Sequence, residues 1–301
     1  MKLICLSDLH LLYDSPVARM DDVKGAQKEK LEYVLGFAVK DEAIVVQAGD
    51  FTHKPRGWYL LRYWLDFLCH SGDMVGIYAV RGQHDSYMYG EQNATVMGVL
   101  DEICAVTQVP NDGLDLGDID LYGCSYGEEV PKPRKARKLK VLLIHRMIVD
   151  KPMWAGQEDY DLAIDFLKEH KGYDLIVCGD CHRKFLFRDS KRIILNTGCM
   201  TRLTAEAYNF KHKPGFYIYD TETRNARWHE IPHRSAEEVL TREHLEREEQ
   251  TNEMLENFIA GIGEGQEFGM DFVSNLEKFV EENDLGIGVK RIIGELISEE
   301  N

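Results

Sequence analysis

Five short apolar runs end in the same kind of polar residues, and this recurrence limits the fold more than any other feature. "KLICLS" (2–7) runs into Asp8-Leu9-His10. "AIVVQA" (43–48) runs into Gly49-Asp50, with His53 close behind. "VGIYAV" (75–80) leads to Gly82-Gln83-His84-Asp85, "KVLLI" (140–144) to His145, and "DLIVC" (174–178) to Gly179-Asp180-Cys181-His182. Near-continuous hydrophobicity over such lengths marks strands covered on both faces. "IDLYGC" (119–124), "RIIL" (192–195) and "GFYIYD" (215–220) also read as strands. Between them, segments 24–40, 57–70, 93–104 and 159–170 carry helical periodicity. Strands alternating with helices predict an α/β fold with much parallel or mixed sheet.

In an open α/β sheet the carboxyl ends of the strands share an edge, and sites form there. The five ends therefore bring Asp8, Asp50, Asp180, Gln83, His10, His84, His145 and His182 toward one location. A single aspartate after a strand is ordinarily a turn or cap residue, and a single histidine is ordinarily a satisfied polar group. Five such ends together predict a metal site. The donors are oxygen and nitrogen without thiolate, too many for one ion. That suits two divalent cations of the manganese, iron or zinc kind, which clamp an in-line displacement at phosphorus. Asp50 is the candidate bridge, and an unligated histidine can protonate the leaving oxygen.

Residues 215–231 read as a hairpin, and the chain beyond 235 as helical, with breaks at 261–269 and 285–288. The expected organisation is one domain over 1–232 and an acidic helical region over 233–301. The net charge of −16 sits mostly in the latter, which carries 18 acidic and 6 basic residues. The acidity thus disfavours a broad basic surface without excluding a DNA-binding face on the first domain. Seven cysteines without framework spacing fit free thiols in a reducing cytoplasm. "MKLICLSDLH" reads as a strand rather than a signal peptide, and no apolar run has membrane-spanning length. A cytoplasmic protein without membrane contact is expected.

The ordered motifs "SDLH", "AGDFTH", "RGQHD", "LLIHRM" and "CGDCH" resemble those of the calcineurin-like metallophosphoesterases over roughly residues 1–232. Within that superfamily the chain looks most like the SbcD and meiotic-recombination-eleven type DNA repair nucleases, especially their short phage and prophage relatives. "GQHD" followed by "ATVMGVLDEI", "LLIHRMI", and the stretch from "GDCHRKFLF" to "GFYIYD" carry that likeness. The resemblance implies a two-sheet sandwich flanked by helices. It places one metal on Asp8, His10, Asp50 and His182, and a second on Asp50, Gln83, His145 and Asp180. His84 is the implied catalytic histidine, oriented by Asp85, with His53 just behind the ligands.

Two positions depart from the common pattern. Gln83 stands where most of the superfamily has Asn, and reaches further by one C–C bond of about 1.5 Å. Asp180 stands where many relatives have His, a harder donor that favours manganese or magnesium over zinc. Both belong to the second metal.

The implied function is a manganese-dependent DNA nuclease, in which metal-bound hydroxide attacks phosphorus and His84 assists. The implied partner is an SbcC-like coiled-coil ATPase, with a homodimer as a further expectation. Two alternatives stand beside it: a phosphatase or phosphodiesterase of nucleotides or other small molecules, and a non-catalytic scaffold on a degenerate metal site. Among lesser features, "CGDC" (178–181) has redox spacing but belongs to the metal motif. "KPRKARKLK" (132–140) reads equally as a DNA-backbone contact or a solvated loop. "WYLLRYW" (58–64) reads as a core-facing helix rather than a base-stacking surface.

Overall fold

The computed structural model describes residues 1–245 apart from 73–74, 88–91 and 155, with scattered positions beyond. Most of the acidic region expected to be helical lies outside the described residues.

Two six-stranded mixed sheets form the centre. One contains β1 (Lys2–Leu6), β2 (Ile44–Gln47), β3 (Ile77–Ala79) and β4 (Thr107–Gln108). The other contains β5 (Leu114–Asp115), β6 (Ile119–Cys124) and β7 (Leu139–His145). A separate small ribbon pairs β8 (Ile148–Val149) with β9 (Asp161–Leu162). The second sheet then gains β10 (Leu175–Gly179), β11 (Phe185–Asp189) and β12 (Arg192–Asn196). The hairpin β13 (Gly215–Asp220) and β14 (Asn225–Glu230) closes the first sheet, with β13 antiparallel to β1. The orders are β14-β13-β1-β2-β3-β4 and β11-β12-β10-β7-β6-β5. Strands β1 to β4 are mutually parallel, as are β6, β7, β10 and β12.

Side chains alternate across each strand, and the layers follow from that. Leu3, Cys5, Val46 and Ala48 face Val141, Leu143, Leu175 and Val177 in the core between the sheets. Ile4, Leu6 and Val45 point outward, under α1 (Val23–Lys40), α2 (Trp58–Gly72) and α3 (Val96–Glu102). On the second sheet Leu142, Ile144 and Ile176 point outward under α4 (Ala163–Glu169). Thr95 caps α3, its hydroxyl accepting from the Gly98 amide at 3.1 Å, a common way to satisfy a helix's unpaired first amides.

Three expectations change. The aromatic helix face divides: Trp64 is buried and donates to the Leu12 carbonyl at 3.0 Å, whereas Trp58 and Tyr59 are 72% and 68% exposed. Six residues from Trp58 to Trp64 turn a helix by well over one revolution, so one face cannot hold all the aromatics. Second, β11 has no counterpart in the sequence reading, because an antiparallel edge strand is only half-buried and lacks a continuous apolar run. Third, the compact unit runs to Leu240, eight residues past the boundary expected after 232. There α6 (Ala236–Val239) packs Ala236, Val239 and Leu240 against Phe210, and Leu240 bridges Arg19. A further short helix, α5 (Ala207–Lys211), precedes the hairpin.

Candidate metal centre

The loops after β1 and β2 are laced together. The Asp8 amide donates to the Gly49 carbonyl at 3.2 Å, His10 to Asp50 at 2.9 Å and Leu11 to Phe51 at 3.0 Å. Asp8, His10, Asp50 and Asp180 all have positive φ, between 45° and 82°. Such conformations cost on the order of 1–3 kcal/mol each and persist where the surroundings over-determine them. The strands before each turn, buried at the ends that lead into it, supply that restraint. Glycine permits the remaining close approaches: a Cβ on Gly82 would lie 2.0 Å from Asp50 Oδ1.

The side chains converge. Donor atoms of Asp8, His10 and His182 lie within 4.8 Å of one another, and so do those of Asp8, Asp50 and His145. His10 Nε2 is 3.1 Å from His182 Nε2 and 3.5 Å from Asp50 Oδ2. His145 Nε2 is 3.5 Å from Asp50 Oδ1 and 4.0 Å from Asp180 Oδ1. Gln83 donates its amide to Asp180 Oδ1 at 2.8 Å. Asp8, expected at one metal position, thus stands between both groups.

Buried polar atoms normally find partners, yet Asp8 Oδ2, Asp50 Oδ2, Gln83 Oε1 and His145 Nε2 are buried without a hydrogen bond. They come from four different strand ends and converge on one cluster. His145 Nδ1 donates to the Ala48 carbonyl at 2.7 Å, which leaves Nε2 as the ligating nitrogen once the ring is neutral. Three carbonyl or carboxylate oxygens and an imidazole nitrogen suit a hard divalent cation. The residues therefore fit the metals that the chemistry calls for.

Electrostatics agree with a missing positive charge. Burial lowers the His145 affinity for a proton, but contact with Asp50 and the charges of Asp50 and Asp8 outweigh it and raise the pKa to about 9. Burial lifts Asp8 to about 6. Burial and neighbouring histidines push His10 well below the ordinary value, with Asp50 opposing. The site favours a cation beside the carboxylates, whether a proton on His145 or a metal.

His84 donates from Nδ1 to the His53 carbonyl at 2.8 Å, and its amide donates to Asp50 Oδ1 at 2.9 Å. Its ring stands 4.8 Å from that of His10 and stacks on His53 at 5.0 Å. His53 also approaches His10, with the two Nδ1 atoms 3.4 Å apart. Asp85, expected to orient the His84 ring, does not touch it. Its buried carboxylate accepts from the amides of Phe51, Thr52 and Gly82 and from the Thr52 hydroxyl, so it positions the two loops rather than the ring.

Sequence reading missed the residues that brace these loops. Gln27 on α1, fully buried, donates to the Leu9 and His10 carbonyls and accepts from the Leu12 amide. Ser7 binds Asn196 and Thr197 across the two sheets. The available signal was a polar residue at a core-facing position, as Gln27 is among Val23, Leu31 and Val34. Arg202 is buried too, its guanidinium donating to the His212 and Arg234 carbonyls. The Cys181 thiol, raised to about 12 by burial, is no redox partner for Cys178, which burial also raises.

Two packed sheets whose strand ends converge on such a cluster define a metal-dependent phosphoester hydrolase. The chain belongs to the calcineurin-like phosphoesterase family, whose model matches residues 1–184, a span that includes all the candidate ligands together with His53, His84 and Asp85. Solved structures of similar fold include an archaeal phosphodiesterase, 14% identical over 77% of this chain and 100% of that one, with TM-score 0.43. Another is a putative 5'-nucleotidase from Staphylococcus aureus, 14% identical over 79% and 53%, with TM-score 0.47. A third is zinc-complexed Vps29 from Entamoeba histolytica, 11% identical over 77% and 98%, with TM-score 0.37. At such identities the likeness concerns the fold alone. No curated protein sequence matches the chain. Among the described residues, no helix is long and apolar enough to cross a membrane.

Proposed function

We propose that the protein is a two-metal phosphodiesterase acting on DNA, with manganese as its working ion. The four orphaned donor atoms beside His84 are the observation that carries this. Asp8, His10, Asp50 and His182 would hold one ion, and Asp50, Gln83, His145 and Asp180 the other. Bound there, the ions supply Lewis acidity toward a phosphoryl oxygen and an acidified water. The chain's own groups do the rest. His53 and the Asp50 carboxylate fix His84 by ring and amide, so its Nε2 is presented for the leaving oxygen. Asp85 holds the loops that carry Asp50 and His84 in register.

DNA is favoured over a compact substrate because clefts leave the cluster past different members of it. One runs past His53 with Lys54 and Arg56, the other past His145 and Asp180 with Arg146. Lys54 and Arg56 on the first run suit a phosphate chain, whereas on the second Arg146 pairs with Asp161 and stands with Glu158 and Asp159. A coiled-coil ATPase partner and a homodimer belong to the same proposal. The overall acidity favours the second reading, a phosphodiesterase of nucleotides or other small molecules.

The test compares manganese-dependent hydrolysis of single- and double-stranded DNA with that of a generic aryl phosphodiester, for wild type and His84→Ala. DNA cleavage that disappears with His84 supports the proposal. Cleavage of the aryl ester alone selects the small-molecule reading, and equal activity in both proteins removes the case for catalysis by this site.

A further inference from the structure

The cleft past His53 is lined by two exposed aromatic rings, Trp58 and Tyr59, beside Tyr13, which packs on the core. It has a volume of about 360 Å³, within the range of small-molecule sites. Trp58 and Tyr59, at the start of α2, project from the core and are largely exposed. Tyr59 stacks on Tyr13 with ring centroids 5.4 Å apart and planes at 25°. Lys24 lies 4.7 Å over the Tyr13 ring. The exposed cations Lys54 and Arg56 and the carboxylate of Asp14 complete the rim. At its inner end the wall is His53, whose ring stacks on His84.

Resting on the phosphodiesterase proposal, we infer that this cleft takes one unpaired nucleobase of the strand whose phosphodiester lies at the metal centre. Planar aromatic faces accept any base by stacking. Lys54 and Arg56 match the charge of the adjoining phosphate, and Asp14 can accept from an exocyclic amine. A cluster made only for phosphate has no use for two exposed aromatic rings in the cleft that reaches His53. A site of this kind gives the enzyme a preference for ends, gaps or single strands, because a paired base cannot enter.

The experiment measures kcat/KM on a short single-stranded oligodeoxynucleotide and on the same backbone with abasic residues, with manganese. Wild type should prefer the base-bearing strand by roughly 5- to 150-fold, the range set by base–aromatic stacking. In the Trp58→Ala/Tyr59→Ala variant the ratio should fall toward 1. Manganese uptake by that variant checks that the fold is intact. Independently, dTMP and a short oligonucleotide should quench tryptophan fluorescence of the metal-free protein, and Trp58→Phe should abolish that component. Tighter binding of the oligonucleotide than of dTMP supports a strand as occupant, whereas equal binding overturns that choice. Equal rates on both strands with no Trp58-dependent quenching overturns the inference. Quenching without any DNA cleavage leaves the base site standing and removes the nuclease proposal alone.

Discussion

The two halves of the metal cluster hold their donors in different ways. In one half His182 is about half exposed, and its ring is steadied mainly by the 3.1 Å approach to His10. In the other His145 is enclosed and tied to the Ala48 carbonyl, while Gln83 and Asp180 hold each other at 2.8 Å. A prebuilt half loses little freedom when it takes a cation. The exposed half must also order a side chain, at about 0.5–1.5 kcal/mol. The comparison also explains the two departures from the common motif. Both fall in the enclosed half, and they bind one another. The extra bond of Gln83 carries its amide to Asp180 and leaves Oε1 without a protein partner. Neither substitution stands alone.

The largest test of this division is Asp50→Asn. Asp50 approaches His10 with one oxygen and His145 with the other, so both halves depend on it. Manganese uptake should fall from two equivalents to at most one, with hydrolysis lost. Retention of both equivalents would show that the halves are not joined through this carboxylate.

His84→Ala should lower kcat by roughly 10²–10⁴-fold and leave two equivalents of manganese bound, because His84 reaches the Asp50 carboxylate through its backbone amide, which the substitution keeps. Loss of a metal equivalent in titration would place His84 among the ligands instead.

Gln83→Asn and Asp180→His should each weaken the enclosed half by about 10–100-fold, the range for partners that orient ligands. The double variant should recover part of that loss, since each single change strands the other partner. Strict additivity in manganese titrations would break the pairing.

The smallest effect is in pH. His145 titrates near 9, above the ordinary 6.5, so it is protonated at pH 7.5 and a cation must displace that proton. Affinity of the enclosed half should therefore rise about tenfold per unit up to about pH 9 and level off above it. His10, held well below 6.5, is already neutral, so the exposed half should be flat over the same range. Calorimetry in buffers of different ionisation heat should find proton release with one equivalent only.

Much of this was readable beforehand because buried parallel strands announce themselves as apolar runs, and β1, β2, β3, β7 and β10 are each followed within a short loop by, or end on, a donor residue. The role of Asp85 was not readable. Adjacency in sequence suggested contact with His84, but positive φ at Asp50 turns the neighbouring loop so that its amides meet the carboxylate first. Gln27 was equally hidden, because one polar residue on a helix face looks the same whether it meets solvent or a ligand loop.

The order and chemistry of the donors, and the alternation that makes two covered sheets, are properties of the chain written locally, where each residue's neighbours in sequence decide its strand and its turn. Which donors share a cation, which histidine stays free, and which aromatics of one helix face outward depend on contacts between residues far apart in sequence. Those contacts exist only once the two sheets have packed and brought their strand ends to one edge.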